Sequence, residues 1–448
     1  MSLKISNTIS KSKEIFKPID EKNIRMYVCG PTVYDYPHVG NARPLIVFDI
    51  LFRLLKKLYP KSKVTYVRNI TDIDDKIIEA SNKLKTSIKN LTEKVTKDFH
   101  SDCEYLGCLK PSFEPKATEH LEEMISLIDK LIKNGFAYES NNHVYFQVSK
   151  FKNYGRLSNK KISELISGSR VEVSDNKKDP GDFVLWKPSR ENEPYWDSPY
   201  GKGRPGWHLE CSAMSEKFLG NHFDIHGGGL DLIFPHHENE IAQSVCANKT
   251  DKFSNYWMHN GYVTVNKQKM SKSLGNFITI DELKKNYNGQ VIRLAMLSTH
   301  YSQPFDWNNE ILESSKKNLD KWYEFYSDKD EEILHENLKF LLDDLNTPLM
   351  ISNIHELFKK AKSGDKQSAT QLSASCKILG LFGENKEDWI NFKKVGKINA
   401  EEIEALILKR NSARKNKDYK LSDEIRDYLD SKGVLIKDKD DMTTWEYK

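Results

Sequence analysis

The chain has 448 residues, room for two to four domains and a sizeable buried core. Hydrophobic residues at 38% and charged residues at 30% fit a soluble globular protein, and the best apolar stretch, around Leu45 to Leu58, is broken by Asp49 and Arg53 before it reaches membrane-spanning length. A net charge of +4 is small for a nucleic-acid binder, so any RNA contact must come from local patches rather than the total.

The first 24 residues read as a lead-in strand and loop, with none of the apolar core of a signal peptide. A short β-prone run, Met26 to Cys29, is then broken by Gly30 and Pro31. The apolar periodicity predicts a buried helix from near Asn41 to Leu58, with Pro44 in its first turn. A second strand, Lys63 to Ile70, completes a βαβ unit and so predicts a parallel sheet. The strand–loop–helix start forms an anion site, because free backbone N–H groups and the helix dipole both face the loop. His38 and Asn41 stand there beside Cys29. A structural turn with a buried Cys and a capping Asn reads the same stretch equally well. No GxGxxG lies between this first strand and its helix, so no dinucleotide cofactor is indicated. Thr71, just past the second strand, is placed to line a pocket, whereas Asp74 and Asp75 read as the acidic start of a helix.

From Leu91 to Ile166 the pattern is helical and charged, interrupted by a hairpin-like piece from Ala137 to Phe151. Val184 to Gly206, rich in Pro, Gly, Trp and Tyr, reads as an ordered loop. Six of the 13 histidines, His208, His222, His226, His236, His237 and His259, fall in one short region. There Phe223 to His226 predicts a strand ending in Gly227, Gly228 and Gly229, which allow close backbone approach and positive φ. Pro235 opens a helix, so His236 and Glu240 share a face at i and i+4. A strand near Tyr256 to Val265 precedes Lys269-Met270-Ser271-Lys272-Ser273, a lysine- and hydroxyl-rich loop closed by Gly275 that suits a triphosphate. Beyond Glu310 the chain turns helical and lysine-rich, with Glu384 to Val395 as a linker. The helix Glu401 to Asp418 carries Lys409, Arg410, Arg414, Lys415 and Lys417, a bias that fits a phosphate-contacting patch although most charged helices are simply solvated. Trp445 near the end reads as an exposed aromatic on which a base can stack. The six cysteines, Cys29, Cys103, Cys108, Cys211, Cys246 and Cys376, have no disulfide-scaffold spacing and read as free thiols or metal ligands of a cytoplasmic protein.

His-Val-Gly-Asn at 38–41 and Lys-Met-Ser-Lys-Ser at 269–273, in that order, resemble the HIGH and KMSKS signatures of class I aminoacyl-tRNA synthetases. Cys29, the run from Gly206 to Cys211 and Phe234 to Glu240 narrow the resemblance to the cysteinyl-tRNA synthetases, over nearly the whole chain. Asn41 stands where the signature has its last His, and an Asn can still donate to a phosphate. The resemblance implies an α/β fold: a Rossmann-like parallel-sheet catalytic domain over 1–310 with a connective insertion at about 91–205. An all-α helical bundle at 311–395 and a small anticodon-binding region at 396–448 follow. It also implies a zinc ion on Cys29, Cys211, His236 and Glu240, a donor set whose types suit zinc. His237 competes with His236 by spacing, and the family pattern decides for His236.

The resemblance further implies that the zinc takes the sulfur of substrate cysteine. A contact of that specificity can reject an analogue by roughly 10⁴-fold or more, so no editing domain is needed. Gly30, Thr71, Trp207 and Asp231 are expected in the substrate pocket, Asp231 on the α-amino group. Gly40, Gly227, Gly228 and Gly229 are expected at ATP, with His38, Asn41, Lys269 and Lys272 on its phosphates. Catalysis is then positioning and charge stabilisation, since the attacking carboxylate is already ionised. Arg410, Arg414, Lys417 and Trp445 are expected at tRNA. The partners implied are tRNA(Cys), L-cysteine and ATP with Mg2+, acting on a monomer without a membrane. Two rivals are a cysteine ligase of the mycothiol pathway and a non-catalytic RNA-binding paralogue. Residues 396–448 argue against the first, and the intact Lys269 to Ser273 against the second.

Overall fold

The computed structural model describes residues 2–159, 176–270, 274–394, 400–439 and 442–447. They form two compact units, Met1–Gly383 and Glu384–Lys448. Among the described residues no helix is long and apolar enough to cross a membrane.

The first unit is built on a four-stranded parallel sheet, ordered in space Ser254–Asn260, Phe223–Gly229, Asn23–Val28, Lys63–Arg68. Its winding reverses between Asn23–Val28 and Phe223–Gly229. Ligands of open α/β sheets bind beyond the carboxyl ends of the strands at such a reversal. Val28 pairs with Gly227 there, and the Cys29 N–H reaches the Gly227 carbonyl at 3.1 Å.

The helix after the first of these strands is Val39–Leu58, beginning two residues earlier than the sequence pattern gave. The reason is its cap: His38 Nδ1 accepts the Gly40 N–H at 3.0 Å, and Asn41 Oδ1 accepts the His38 N–H at 3.0 Å. The two side chains thus satisfy two of the donors that a helix start leaves orphaned. Ile46, Phe48, Leu51, Leu54 and Leu55 are fully buried, each contributing about 1.5–3 kcal/mol relative to exposure.

The three glycines of Phe223–Gly229 lie inside the strand, and none of them has positive φ. Close approach is their role. A Cβ on Gly227 would meet the Phe48 ring at 2.3 Å, and one on Gly228 would meet His237 at 2.9 Å. The room they leave is therefore filled by the protein's own side chains. Val184 to Gly206 is also more regular than a loop: Phe183–Pro188 and Gly203–Pro205 join Ala137–Ser140 and His143–Phe146 in a four-stranded antiparallel sheet. The stretch Tyr256 to Val265 divides between the core strand and Val263–Val265, which belongs to a separate three-stranded sheet.

Helices Asn309–Trp322, His335–Leu342, Thr347–Lys362 and Lys366–Ile378 belong to the same unit. A buried guanidinium, Arg293 of helix Gly289–Leu297, ties them to the sheet domain. It donates to Leu379 O at 2.6 Å and Leu106 O at 3.1 Å, and it pairs with Asp49 of Val39–Leu58. Burial alone would push the Asp49 carboxyl up. Arg293, Arg53 and the Leu109 N–H together hold it below the ordinary carboxylate range. Gly380 completes the joint: its φ is +68°, and a Cβ there would strike the Arg293 guanidinium at 2.5 Å.

In the second unit, the stretch read as a linker holds a helix, Lys386–Lys394. Ala400–Lys415 and Tyr419–Ser431 pack with an antiparallel hairpin, Val434–Lys439 and Met442–Tyr447, around Ile403, Ile407, Ile425, Leu429 and Val434. Two expectations change here. Trp445 is half-buried, paired across the hairpin with Ile436 and packed on that core, because alternation along the strand turns it inward. Arg410 is buried, and both its terminal nitrogens donate to Asp438, at 2.9 and 2.8 Å. Its charge is thereby committed to holding the hairpin on the helix. Arg414 and Lys417 are exposed, Arg414 also reaching Asp438 at 3.0 Å.

Candidate active site and metal centre

The reversal point of the sheet gathers four donors from three separate places. Cys29 follows strand Asn23–Val28, Cys211 lies in helix Trp207–Leu219, and His236 and Glu240 bracket the start of helix Glu238–Asn248. One ligand atom from each lies within 4.8 Å of all the others. Cys29 Sγ is 3.7 Å from Cys211 Sγ and 3.5 Å from Glu240 Oε1, and His236 Nε2 is 3.0 Å from Glu240 Oε1. All but Cys29 are fully buried.

The electrostatics of the cluster ask for a cation. Burial disfavours a charged His236, yet Glu240 and Cys211 lift its imidazole to about 10. Burial raises the Cys211 thiol, while the Cys29 S–H and His236 bring it down to about 6. Glu240 is held well below the ordinary range, against burial, by His226 and His236. A proton on His236 is the positive charge in this arrangement, and a divalent metal on the same donors would replace it.

Around the four lies a layer of histidines. The ring nitrogens His236 Nδ1 and His208 Nδ1 face each other at 3.0 Å and must share one proton. Burial pushes His208 down to about 3, so it is neutral and accepts, which leaves His236 Nε2 for the cluster. His226 Nε2 sits 2.7 Å from Glu240 Oε2, so one carboxylate oxygen serves the cluster and the other this outer layer. His237 Nε2 is 3.3 Å from Cys29 Sγ, and its Nδ1 meets His259 Nε2 at 2.8 Å. Cys29, His226, His237 and Glu240 thus form a second, overlapping set within the same 4.8 Å limit. It offers one thiolate where the first offers two, and the softer first set suits zinc better.

Of the pocket residues expected from the sequence, Gly30 follows Cys29 directly, Trp207 packs on His236, and Thr71 is linked through Asn69 to Cys211. Gly30 donates to Asn69 Oδ1 at 2.8 Å, and a Cβ there would overlap the Asn69 carbonyl at 1.7 Å. Thr71 is buried and Trp207 half-exposed, its indole stacked on His236 at 4.3 Å. Asp231 is exposed on the turn after Gly229. His38, with Nδ1 accepting, carries its proton on Nε2 and meets the Phe277 ring edge-on at 4.9 Å. Val39 N–H bonds to Ile278 O and Ile280 N–H to Pro37 O, both at 3.1 Å. The segment that follows the lysine-rich loop is therefore pinned directly to the segment that opens the helix. The backbone of Lys269 pairs with Thr264 in a short strand, Gln268–Lys269. Ser271, Lys272 and Ser273 lie outside the described residues.

A family model described as the tRNA synthetases class I (C) catalytic domain matches residues 15–317, and one described as the cysteinyl-tRNA ligase anticodon binding domain matches 400–445. The cysteine–tRNA ligase of Pelagibacter ubique is 56% identical over 99% of this chain and 99% of its own length. The chain belongs to the cysteine–tRNA ligases. The ligase of Afipia carboxidovorans is 50% identical over 100% of this chain and 99% of its own length. Fold likeness extends across class I: Mycobacterium tuberculosis methionyl-tRNA synthetase in complex with methionyl-adenylate superposes with a TM-score of 0.56 over 83% of this chain and 93% of that one, at 13% identity. Sequence reasoning missed the outer layer. The crowding of histidines between 208 and 259 signalled it, but only the fold shows which rings face Glu240, His236 and Cys29. Asn69 and Glu210, which hold Gly30 and Thr71, carried no signal of their own.

Proposed function

We propose that the enzyme activates L-cysteine with ATP, releasing pyrophosphate, and then transfers the cysteinyl group to the 3′ end of tRNA(Cys) in the cytoplasm as a monomer. We assign Cys29, Cys211, His236 and Glu240 as the ligands of one Zn2+. The observation that carries this reading is the convergence of two thiols, an imidazole and a carboxylate at the reversal point of the sheet. Bound there, zinc supplies a soft Lewis acid that prefers the thiolate of cysteine to the hydroxyl of serine.

The chain's own residues do the rest. Trp207 walls the pocket beside His236, Gly30 lets the substrate approach the backbone, and Thr71 and Asp231 receive its α-amino group. His38 Nε2–H and Asn41, at a capped helix start, face the phosphates of ATP with Gly40, and Mg2+ accompanies them. The peptide edge of Gly227 to Gly229 borders the nucleoside. Lys269 and Lys272 offset charge developing on the leaving pyrophosphate. Arg414 and Lys417 meet tRNA phosphates, while Arg410 and Trp445 support the fold that presents them.

Purified enzyme should carry about one zinc per chain, as a single closed donor set requires. Cys211→Ser should lose most of that zinc and raise the KM for cysteine in ATP–pyrophosphate exchange. A Cys211→Ser enzyme with full zinc and unchanged cysteine affinity would remove the assignment. Lys272→Ala should slow single-turnover adenylate formation by on the order of 10²–10³ while leaving ATP binding nearly intact. An unchanged rate with weakened ATP binding would make Lys272 a ground-state contact instead.

A further inference from the structure

A chain of hydrogen bonds runs behind Gly30, and its direction is fixed at one end. The Gly30 N–H can only donate, so the Asn69 amide must turn its Oδ1 toward it, at 2.8 Å. The same amide then presents Nδ2 to Thr71 Oγ1, at 3.2 Å. Having accepted there, the Thr71 hydroxyl directs its own proton to Glu210 Oε2, 3.0 Å away. Oε2 accepts that hydrogen bond through a lone pair. Asn69, Thr71 and Glu210 are all buried, so water does not compete for these bonds. Asn69 Oδ1 also lies 3.6 Å from Cys211 Sγ, so the chain runs alongside the metal donors. With its proton committed and one lone pair used, Thr71 has only a lone pair left to offer.

We propose that Glu210 is a positioning residue for amino-acid recognition: by accepting the hydrogen bond of the Thr71 hydroxyl it makes Thr71 an acceptor, able to receive the α-ammonium of cysteine and unable to donate to its carboxylate. This rests on the reading that Thr71 lines the substrate pocket. The consequence is orientation. With its sulfur held on the metal, a cysteine turned the wrong way would bring its carboxylate against the lone pairs of Thr71. The correct orientation sends that carboxylate toward the phosphates near His38 and Asn41.

The test compares L-cysteine with 3-mercaptopropionate, which keeps thiol and carboxylate and lacks the amine. Glu210→Met removes the acceptor at similar volume, and Glu210→Gln keeps an acceptor oxygen. Glu210→Met should raise the KM for cysteine in ATP–pyrophosphate exchange about tenfold, the scale of one buried hydrogen bond, and leave kcat and the KM for ATP little changed. Glu210→Gln should restore most of that affinity. The inhibition constant of 3-mercaptopropionate and the zinc content should stay at wild-type levels in both variants. Thr71→Val should match Glu210→Met, and the double variant should be no worse than either, since both break one unit. A parallel loss of cysteine and 3-mercaptopropionate affinity would mean that Glu210 only supports the fold, and would overturn the proposal. An unchanged cysteine KM in Glu210→Met, or a Glu210→Gln enzyme as impaired as Glu210→Met, would overturn it too. A wild-type enzyme that binds 3-mercaptopropionate equally well with and without zinc would instead remove the metal–thiolate reading, whatever the Glu210 variants do.

Discussion

An enzyme cut after Gly383 should catalyse cysteine-dependent ATP–pyrophosphate exchange at close to the full rate and charge tRNA poorly. The residues assigned to activation, from Cys29 to Lys272, all precede the cut, and they belong to a unit with its own sheet, helices and core. The residues removed include the match to the anticodon binding domain at 400–445. Losing an interface worth roughly 3–4 kcal/mol lowers kcat/KM for tRNA by on the order of 10²–10³. The remaining charging should also depend less steeply on salt, because the phosphate contacts proposed for Arg414 and Lys417 are gone. Exchange and full-length tRNA charging, each measured on the same folded preparation, decide the matter. If charging survives the cut, the second unit does not bind tRNA. If exchange falls with charging, the second unit supports the active site.

Asp49→Asn should cost about 3–5 kcal/mol of stability, the range seen when one partner of a buried pair is removed. Asp49 takes Arg293 and Arg53 on one oxygen and the Leu109 N–H at 2.7 Å on the other. Neutralising it leaves the Arg293 guanidinium buried among carbonyls with no anion, at the joint between the sheet domain and the helices that follow. Urea denaturation of the single variant and of Asp49→Leu with Arg293→Met reads this out. The double apolar variant should recover most of the loss, since removing both charges removes the unpaired one. A single variant within about 1 kcal/mol of wild type would show that water reaches the joint.

What the sequence made legible and what it hid follow one physical division. The strand at Met26 to Cys29, the long buried helix after it and the i, i+4 pairing of His236 with Glu240 were readable, because each is set by local periodicity. The four metal donors were nameable through family likeness, although nothing local brings Cys29 to Cys211. Positions that depend on what the opposite element offers stayed hidden. Arg410 looked like a free cation until Asp438, 28 residues on, took both its terminal nitrogens. Trp445 looked exposed until a hairpin strand turned it onto the small core of the second unit. The glycines at 227–229 looked like the end of a strand, free to take positive φ, and only the packing of Phe48 and His237 explains why they stand inside it.

The two thiols that meet at 3.7 Å have a further consequence. Cys29 and Cys211 are placed in each new chain by cysteinyl-tRNA, which this enzyme makes. Every molecule is thus assembled from the output of its predecessors, and, with Cys29 and Cys211 as the proposed metal ligands, the accuracy of one generation is written into two positions on which that of the next depends. A serine delivered to either codon yields a chain with a harder, weaker ligand in the donor set proposed to tell sulfur from oxygen. Errors at these two sites are therefore amplified through the enzyme population in a way that errors at Cys246 or Cys376, buried away from the donors, are not.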